Sequence, residues 1–92
     1  MQINLFATFR LHAGVRRFDL DLPDGVTLHQ AIEVIVEQYP VLRPHWLDDQ
    51  GALFAHVHAF INGVDAGTLP LVLDTPLKAT DVLDFFPPVA GG

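Results

Sequence analysis

The 92-residue sequence contains no cysteine. That excludes disulfides, a cysteine nucleophile, iron–sulfur ligation and thiolate zinc sites together, and it fits a reducing compartment. Basic residues are scarce, 5 against 11 acidic ones, for a formal net charge of −6. Nucleic acid needs a positive footprint, and Arg16-Arg17, the sole basic cluster, is too small to supply one. No apolar run approaches the roughly 18 residues that span a bilayer. The opening MQINLFATFR alternates polar and apolar residues and lacks the basic and apolar regions of a signal peptide. The expectation is a soluble, cytoplasmic protein that binds neither nucleic acid nor membrane, and whose acidity suits docking on a basic protein face.

Half of the residues are hydrophobic, enough for a sizeable core, and the length suits one domain. Residues 2–10 read as a strand with Ile3, Leu5, Ala7 and Phe9 on one face and Asn4, Phe6, Thr8 and Arg10 on the other. A turn at Gly14 leads to a second strand, FDLDL, with Phe18, Leu20 and Leu22 inward, closed by Pro23-Asp24-Gly25. Thr27 and Gln30 match a capping box, and Leu28, Ala31, Ile32, Ile35 and Val36 fall at helical spacing. The prediction is a helix over 27–39, ended by Pro40. Residues 40–53 read as a short helical turn and a loop pinned by Leu42, Trp46 and Leu47. AHVHAFI reads as a strand before the hairpin signal Asn62-Gly63. Leu69 to Leu73 reads as an irregular strand or loop. Val82–Phe86 is the last strand, stopped by Pro87-Pro88, which lack two adjacent N–H groups. This order gives an α+β roll with one main helix packed on one face of a sheet. Leu5, Phe9, Leu20, Ile32, Ile35 and Leu83 are expected in the core.

The division falls at 86: a domain over 1–86 and a tail over 87–92. Pro87-Pro88 favours an extended, stiff spacer, and six extended residues reach roughly 20 Å. Val89 continues the tail, and Ala90, Gly91 and Gly92 have almost no side chains, so the tail can enter a narrow channel and present the Gly92 carboxylate there. It is expected to be mobile until a partner orders it. Phe6, Phe60 and Phe86 fall on the helix-free face and form a candidate partner surface. The competing reading is that the 40–53 loop covers them.

Other constellations carry less. His56 and His58 share one strand face, but two imidazoles make a weak metal site, and no metal is expected. Asp48-Asp49-Gln50-Gly51 lacks the spacing and closing glutamate of a calcium loop. Tyr39 and Trp46 read as core or rim residues. Nothing in the chain supplies a phosphate loop, a catalytic triad or an acid–base carboxylate pair.

LFATFR with HAGV, the helix after LPDGVT, the strand ending in ING, the DTPL turn and DVLDFFPPVAGG together span nearly the whole chain. In these stretches the sequence resembles the ubiquitin-like β-grasp sulfur carriers of the MoaD/ThiS type. The likeness is to the small subunit of molybdopterin synthase, within a longer branch that includes the small archaeal modifier proteins. The resemblance implies a β-grasp fold, with first and last strands paired in parallel, and a non-catalytic carrier. An E1-like adenylating enzyme of the MoeB/ThiF type uses ATP and magnesium to adenylate the Gly92 carboxylate. A persulfide donor then converts it to a thiocarboxylate. The large synthase subunit of the MoaE type receives that sulfur for molybdopterin, while the carrier binds no cofactor of its own. The same tail also fits thiamine or tRNA thiolation, or a modifier joined to lysines through Gly92.

Overall fold

The computed structural model of the chain describes residues 1–88. Strand β1 (Gln2–Leu5) turns Ile3 and Leu5 inward and leaves Gln2 and Asn4 half-buried on the other face. It pairs antiparallel with β2 (Arg17–Asp19) and parallel with β5 (Val82–Phe86), which sets Ile3 beside Leu83 and Leu5 beside Phe85. On the other side of β5 runs β3 (His58–Ile61), antiparallel, followed by β4 (Val64–Asp65). The resulting five-stranded sheet has the order β2-β1-β5-β3-β4. The expected β-grasp arrangement is therefore present, with first and last strands as parallel neighbours. Asn62 and Gly63 both take positive φ, 50° and 84°, as a two-residue turn twisted to match its strands requires.

Between α1 (Ala7–Ala13) and α3 (Arg43–Trp46), both short, comes the long helix α2 (Leu28–Gln38). Its capping box forms as expected. The Gln30 N–H donates to Thr27 Oγ1 at 3.1 Å, and the Thr27 N–H donates to Gln30 Oε1 at 2.9 Å. Leu28, Ala31, Ile32, Ile35 and Val36 are all buried and join Ile3, Leu5, Leu83 and Phe85 in one core. Every residue expected in that core is buried.

The opening strand is shorter than its alternation suggests. β1 ends at Leu5, and residues 7–13 are helical. Ala7 takes φ 52°, which no strand accommodates, and its side chain is exposed rather than inward. Phe9 is buried all the same, because Leu5 and Phe9 stand four apart and satisfy a helical as well as an alternating spacing. Gly14, at φ 77°, closes α1, its N–H donating to the Arg10 carbonyl at 2.9 Å. The second strand stops at Asp19; Leu20 still buries, and its N–H donates to the Met1 carbonyl at 2.8 Å. Leu22 is half-buried. AHVHAFI is strand from His58 only, because Val57 N–H closes a turn on the Phe54 carbonyl at 3.0 Å. Residues 66–74 make two 3-10 turns, at Ala66–Thr68 and Val72–Asp74, in place of a strand. Residues 40–46 form a 3-10 turn (Pro40–Leu42) running into α3, with Leu42, Trp46 and Leu47 buried as anticipated.

Candidate functional site: an aromatic surface at the root of the tail

The helix-free face of the sheet divides into a polar half and an aromatic half. At the N-terminal ends of β1 and β5, Gln2 Nε2 donates to Asn4 Oδ1 at 3.1 Å, and Asn4 Nδ2 donates to Asp84 Oδ1 at 2.7 Å. At the opposite ends stand Phe6 and Phe86, and Phe60 lies on β3 across from Asp84. Phe6 and Phe86 stack with ring centroids 4.1 Å apart and planes 12° off parallel. Phe60 meets Phe86 edge-on at 5.4 Å.

The parallel register creates this cluster. β1 and β5 run the same way, so the residue after β1 lies beside the end of β5, and the Phe6 N–H donates to the Phe85 carbonyl at 3.2 Å. Phe86 then sits across from His58 of β3. Phe6 is 37% exposed, and Phe60 and Phe86 are half-buried. His58, Phe60, Phe86 and Pro87 line an apolar basin of about 260 Å³. Sequence reasoning did not join His58 to this group; its register opposite Phe86 does.

The 40–53 segment packs elsewhere. Trp46 is fully buried and stacks on Phe85, the neighbour of Phe86 that faces the core, with centroids 4.5 Å apart. Phe9 packs edge-on against the same indole at 5.4 Å. Trp46 is thus a core residue, and Tyr39 a half-buried one tilted against Phe18 at 4.7 Å. Leu42, Trp46 and Leu47 are buried, and none of residues 40–53 lines the basin of His58, Phe60, Phe86 and Pro87.

Of the tail, Pro87 is half-buried in the basin and Pro88 is exposed. Val89, Ala90, Gly91 and Gly92, which carry the expected thiocarboxylate chemistry and mobility, lie outside the described residues.

The histidines do not converge. His56 stacks on Phe54 at 5.1 Å and lies in a turn, whereas His58 stands on β3. His12 and His45 stack face to face at 3.9 Å, planes 14° off parallel, so their in-plane lone pairs run side by side rather than toward one ion. No group of three or more potential metal ligands exists among the described residues. The Asp48 carboxylate is used locally: Oδ1 accepts from the N–H groups of Gln50 (2.8 Å) and Ala52 (3.0 Å). No helix among the described residues is long and apolar enough to cross a membrane.

A sequence profile of the ThiS family matches residues 3–92. The chain belongs to the ThiS family. It is 33% identical to small archaeal modifier protein 1 of Haloferax volcanii over 92 residues, covering all of both chains. A crystal structure of that protein superposes with a TM-score of 0.88, covering 99% of this chain and 97% of that one at 32% identity. A putative molybdopterin converting factor, subunit 1, from Pyrococcus furiosus superposes at 0.73, covering 96% and 95% of the two chains at 29% identity. This ThiS-family chain thus has the β-grasp fold of ubiquitin-like sulfur carriers and protein modifiers.

Proposed function

We propose that this ThiS-family chain is a sulfur carrier that works through the Gly92 carboxylate and serves molybdopterin synthesis. The observation that carries the reading is the parallel β1–β5 pairing. It starts Pro87-Pro88 from a three-phenylalanine surface. A partner that grips this surface holds the root of the tail, and the stiff prolines then aim the remaining residues into its active site. The family match runs through Gly92, which supports the tail as part of the shared machinery.

The chemistry follows from the carboxylate. An E1-like enzyme of the MoeB/ThiF type, holding ATP and magnesium, lets a Gly92 oxygen attack the α-phosphorus, and pyrophosphate leaves. A persulfide sulfur attacks the acyl carbon and expels AMP, giving an acyl persulfide. A thiol then cleaves its S–S bond, leaving a thiocarboxylate on Gly92 and a disulfide on the donor side. Transfer to a pterin precursor takes place within a MoaE-type large subunit. The chain itself contributes recognition and an uncrowded carboxylate, and holds no cofactor.

The likeness to small archaeal modifier protein 1 favours a second reading, a modifier joined to lysines through Gly92. Both readings share the adenylate. Intact mass of the chain from its native host separates them. Replacement of one oxygen by sulfur supports the carrier. A ladder of conjugates without that replacement supports the modifier, and an unaltered chain after incubation with ATP and the activating enzyme refutes both.

A further inference from the structure

Three of the five basic residues, Arg10, Arg16 and Arg17, line the same two adjoining hollows. The larger, a shallow basin of about 550 Å³, is completed by Leu11, Gly14 and Val15. The smaller leads from the arginines to Asn4, Leu5 and Phe6. The fold causes this gathering. Gly14 ends α1 and returns the chain so that β2 starts beside the end of β1, where the Leu5 N–H donates to the Arg16 carbonyl at 2.9 Å. Arg17 lies opposite Asn4, and Arg10 stands about one helical turn beyond Phe6.

All three arginines are exposed, and among the described residues none makes a side-chain hydrogen bond or ion pair; the ion pair found there is His29–Glu33 at 2.7 Å. Leu11, between them, is 74% exposed. A domain of net charge −6 that collects most of its positive charge around an apolar floor, with no carboxylate among the described residues paired to it, offers that surface to an anionic partner. The guanidinium forks suit carboxylates, and Leu11 and Val15 suit an apolar side chain. Three cations on an acidic body are too few for nucleic acid. A second copy is disfavoured by symmetry. An isologous contact centred on the basin sets the arginines against their own copies, and a heterologous one forms an open chain unless its rotation closes a ring.

We infer that the Arg10–Arg16–Arg17 basin is the electrostatic half of the docking surface at the tail root, and that its partner is a protein presenting clustered carboxylates around an exposed apolar side chain. This rests on the carrier reading and deepens it, because the basin adjoins Phe6. Net charge alone points to a basic partner face; the local charge at this end reverses that expectation, and the acidic remainder of the chain orients the encounter, since the arginine end is the one attracted to an acidic face.

The test measures ATP-dependent adenylation by the host's activating enzyme against carrier concentration, at low and high ionic strength. Arg16→Glu/Arg17→Glu is compared with Lys78→Glu/Arg43→Glu, an equal change of net charge away from the basin. The expected result is a KM raised about tenfold or more at low salt for the basin variant, with kcat within about twofold, the control unchanged, and the salt dependence of KM flattened in the basin variant only. Should charge reversal lower the melting temperature, the triple variant Arg10→Gln/Arg16→Gln/Arg17→Gln keeps the aliphatic stems and is expected to show the same split. Equal KM values in basin variant and unaltered chain, or an equal rise in the control, overturn the inference while the carrier reading stands. No adenylation of the unaltered chain overturns both. Salt-sensitive binding of the unaltered chain to RNA, lost in the basin variant, overturns the assignment of the partner as a protein.

Discussion

Phe85 and Phe86 are adjacent on β5 and face opposite ways, so truncating each in turn separates the core from the partner surface. Phe85 is fully buried and stacked on Trp46. Phe85→Ala removes a large ring from a closed site, and such changes cost about 3–5 kcal/mol. A 92-residue domain has on the order of 5–14 kcal/mol in total, so this variant approaches the threshold of unfolding. Phe86 is half-buried, and its loss removes the contacts with Phe6 and Phe60. Two aromatic pairs at about 0.5–1.5 kcal/mol each give a cost of roughly 1–3 kcal/mol. Partner binding reverses the order for the folded fraction. Truncating a buried interface aromatic commonly costs more than about 2 kcal/mol, so adenylation KM should rise well over tenfold for Phe86→Ala and for Phe6→Ala. Urea denaturation followed by far-UV circular dichroism gives the stabilities, and the fluorescence of Trp46, the single tryptophan, gives a second probe. If Phe86→Ala destabilises as much as Phe85→Ala, or if neither Phe86→Ala nor Phe6→Ala changes KM, the aromatic face is structural and the argument for a docking surface is wrong.

Deleting Gly92, or extending the chain beyond it, should abolish adenylation at an unchanged melting temperature, and Gly91→Val should impair it through bulk and backbone restriction; full activity of the Gly92 deletion on intact-mass analysis refutes the carrier role. Val72 holds a β-branched side chain at φ 46° while 43% exposed. Relief of about 1–2 kcal/mol of left-handed strain should outweigh or balance glycine's added chain entropy of about 0.5–1 kcal/mol, so Val72→Gly should be no less stable in urea than the parent; a loss above about 2 kcal/mol contradicts this. Trp46 is fully buried with no partner for Nε1 among the described residues. Trp46→Phe should therefore lose little, because removing an unpaired donor worth about 1–3 kcal/mol offsets the smaller ring, whereas Trp46→Ala should cost about 3–5 kcal/mol. A Trp46→Phe loss as large as that of Trp46→Ala would mean the indole N–H is satisfied.

Elements whose signals are local were legible in the sequence. The Thr27/Gln30 capping box, the apolar stripe of α2, the Asn62-Gly63 turn and the alternation of Val82–Phe86 each state their own conformation, and all formed. The buried side of β1, β2, β3 and β5 followed as well, since period-2 alternation fixes which face turns inward. Strand ends were not legible where pairing decides them. FDLDL and AHVHAFI alternate beyond the point at which a neighbouring strand is present to bond them, and the structure keeps only Arg17–Asp19 and His58–Ile61. The parallel pairing of β1 and β5 joins residues about 80 apart and came from family resemblance, because periodicity carries no information on which strands meet. The arginine basin was hidden for the same reason: Arg10 is distant from Arg16-Arg17 in sequence pattern and adjacent only once α1 folds back at Gly14.

The misread opening strand bears most directly on the site. Had residues 2–10 continued as one strand, Phe6, Thr8 and Arg10 would stand in a row on the open face, and the β1 edge would run past the end of β5. Instead the positive φ of Ala7 breaks the strand one residue after Phe6 starts to bond the Phe85 carbonyl. That break does two things at once. It sends Phe9 into the core against Trp46, which anchors α1. It also leaves Phe6 as the last residue before the bend, its ring flat on Phe86, while α1 carries Arg10 and Leu11 alongside. Left-handed backbone at a non-glycine residue costs of order 1–3 kcal/mol and persists only where the surroundings over-determine it. Here the anchoring of Phe9 on one side and the Phe6–Phe86 stack on the other supply that determination. The strained residue therefore sets where β1 ends, and through the parallel pairing it sets which side chains surround the root of the tail.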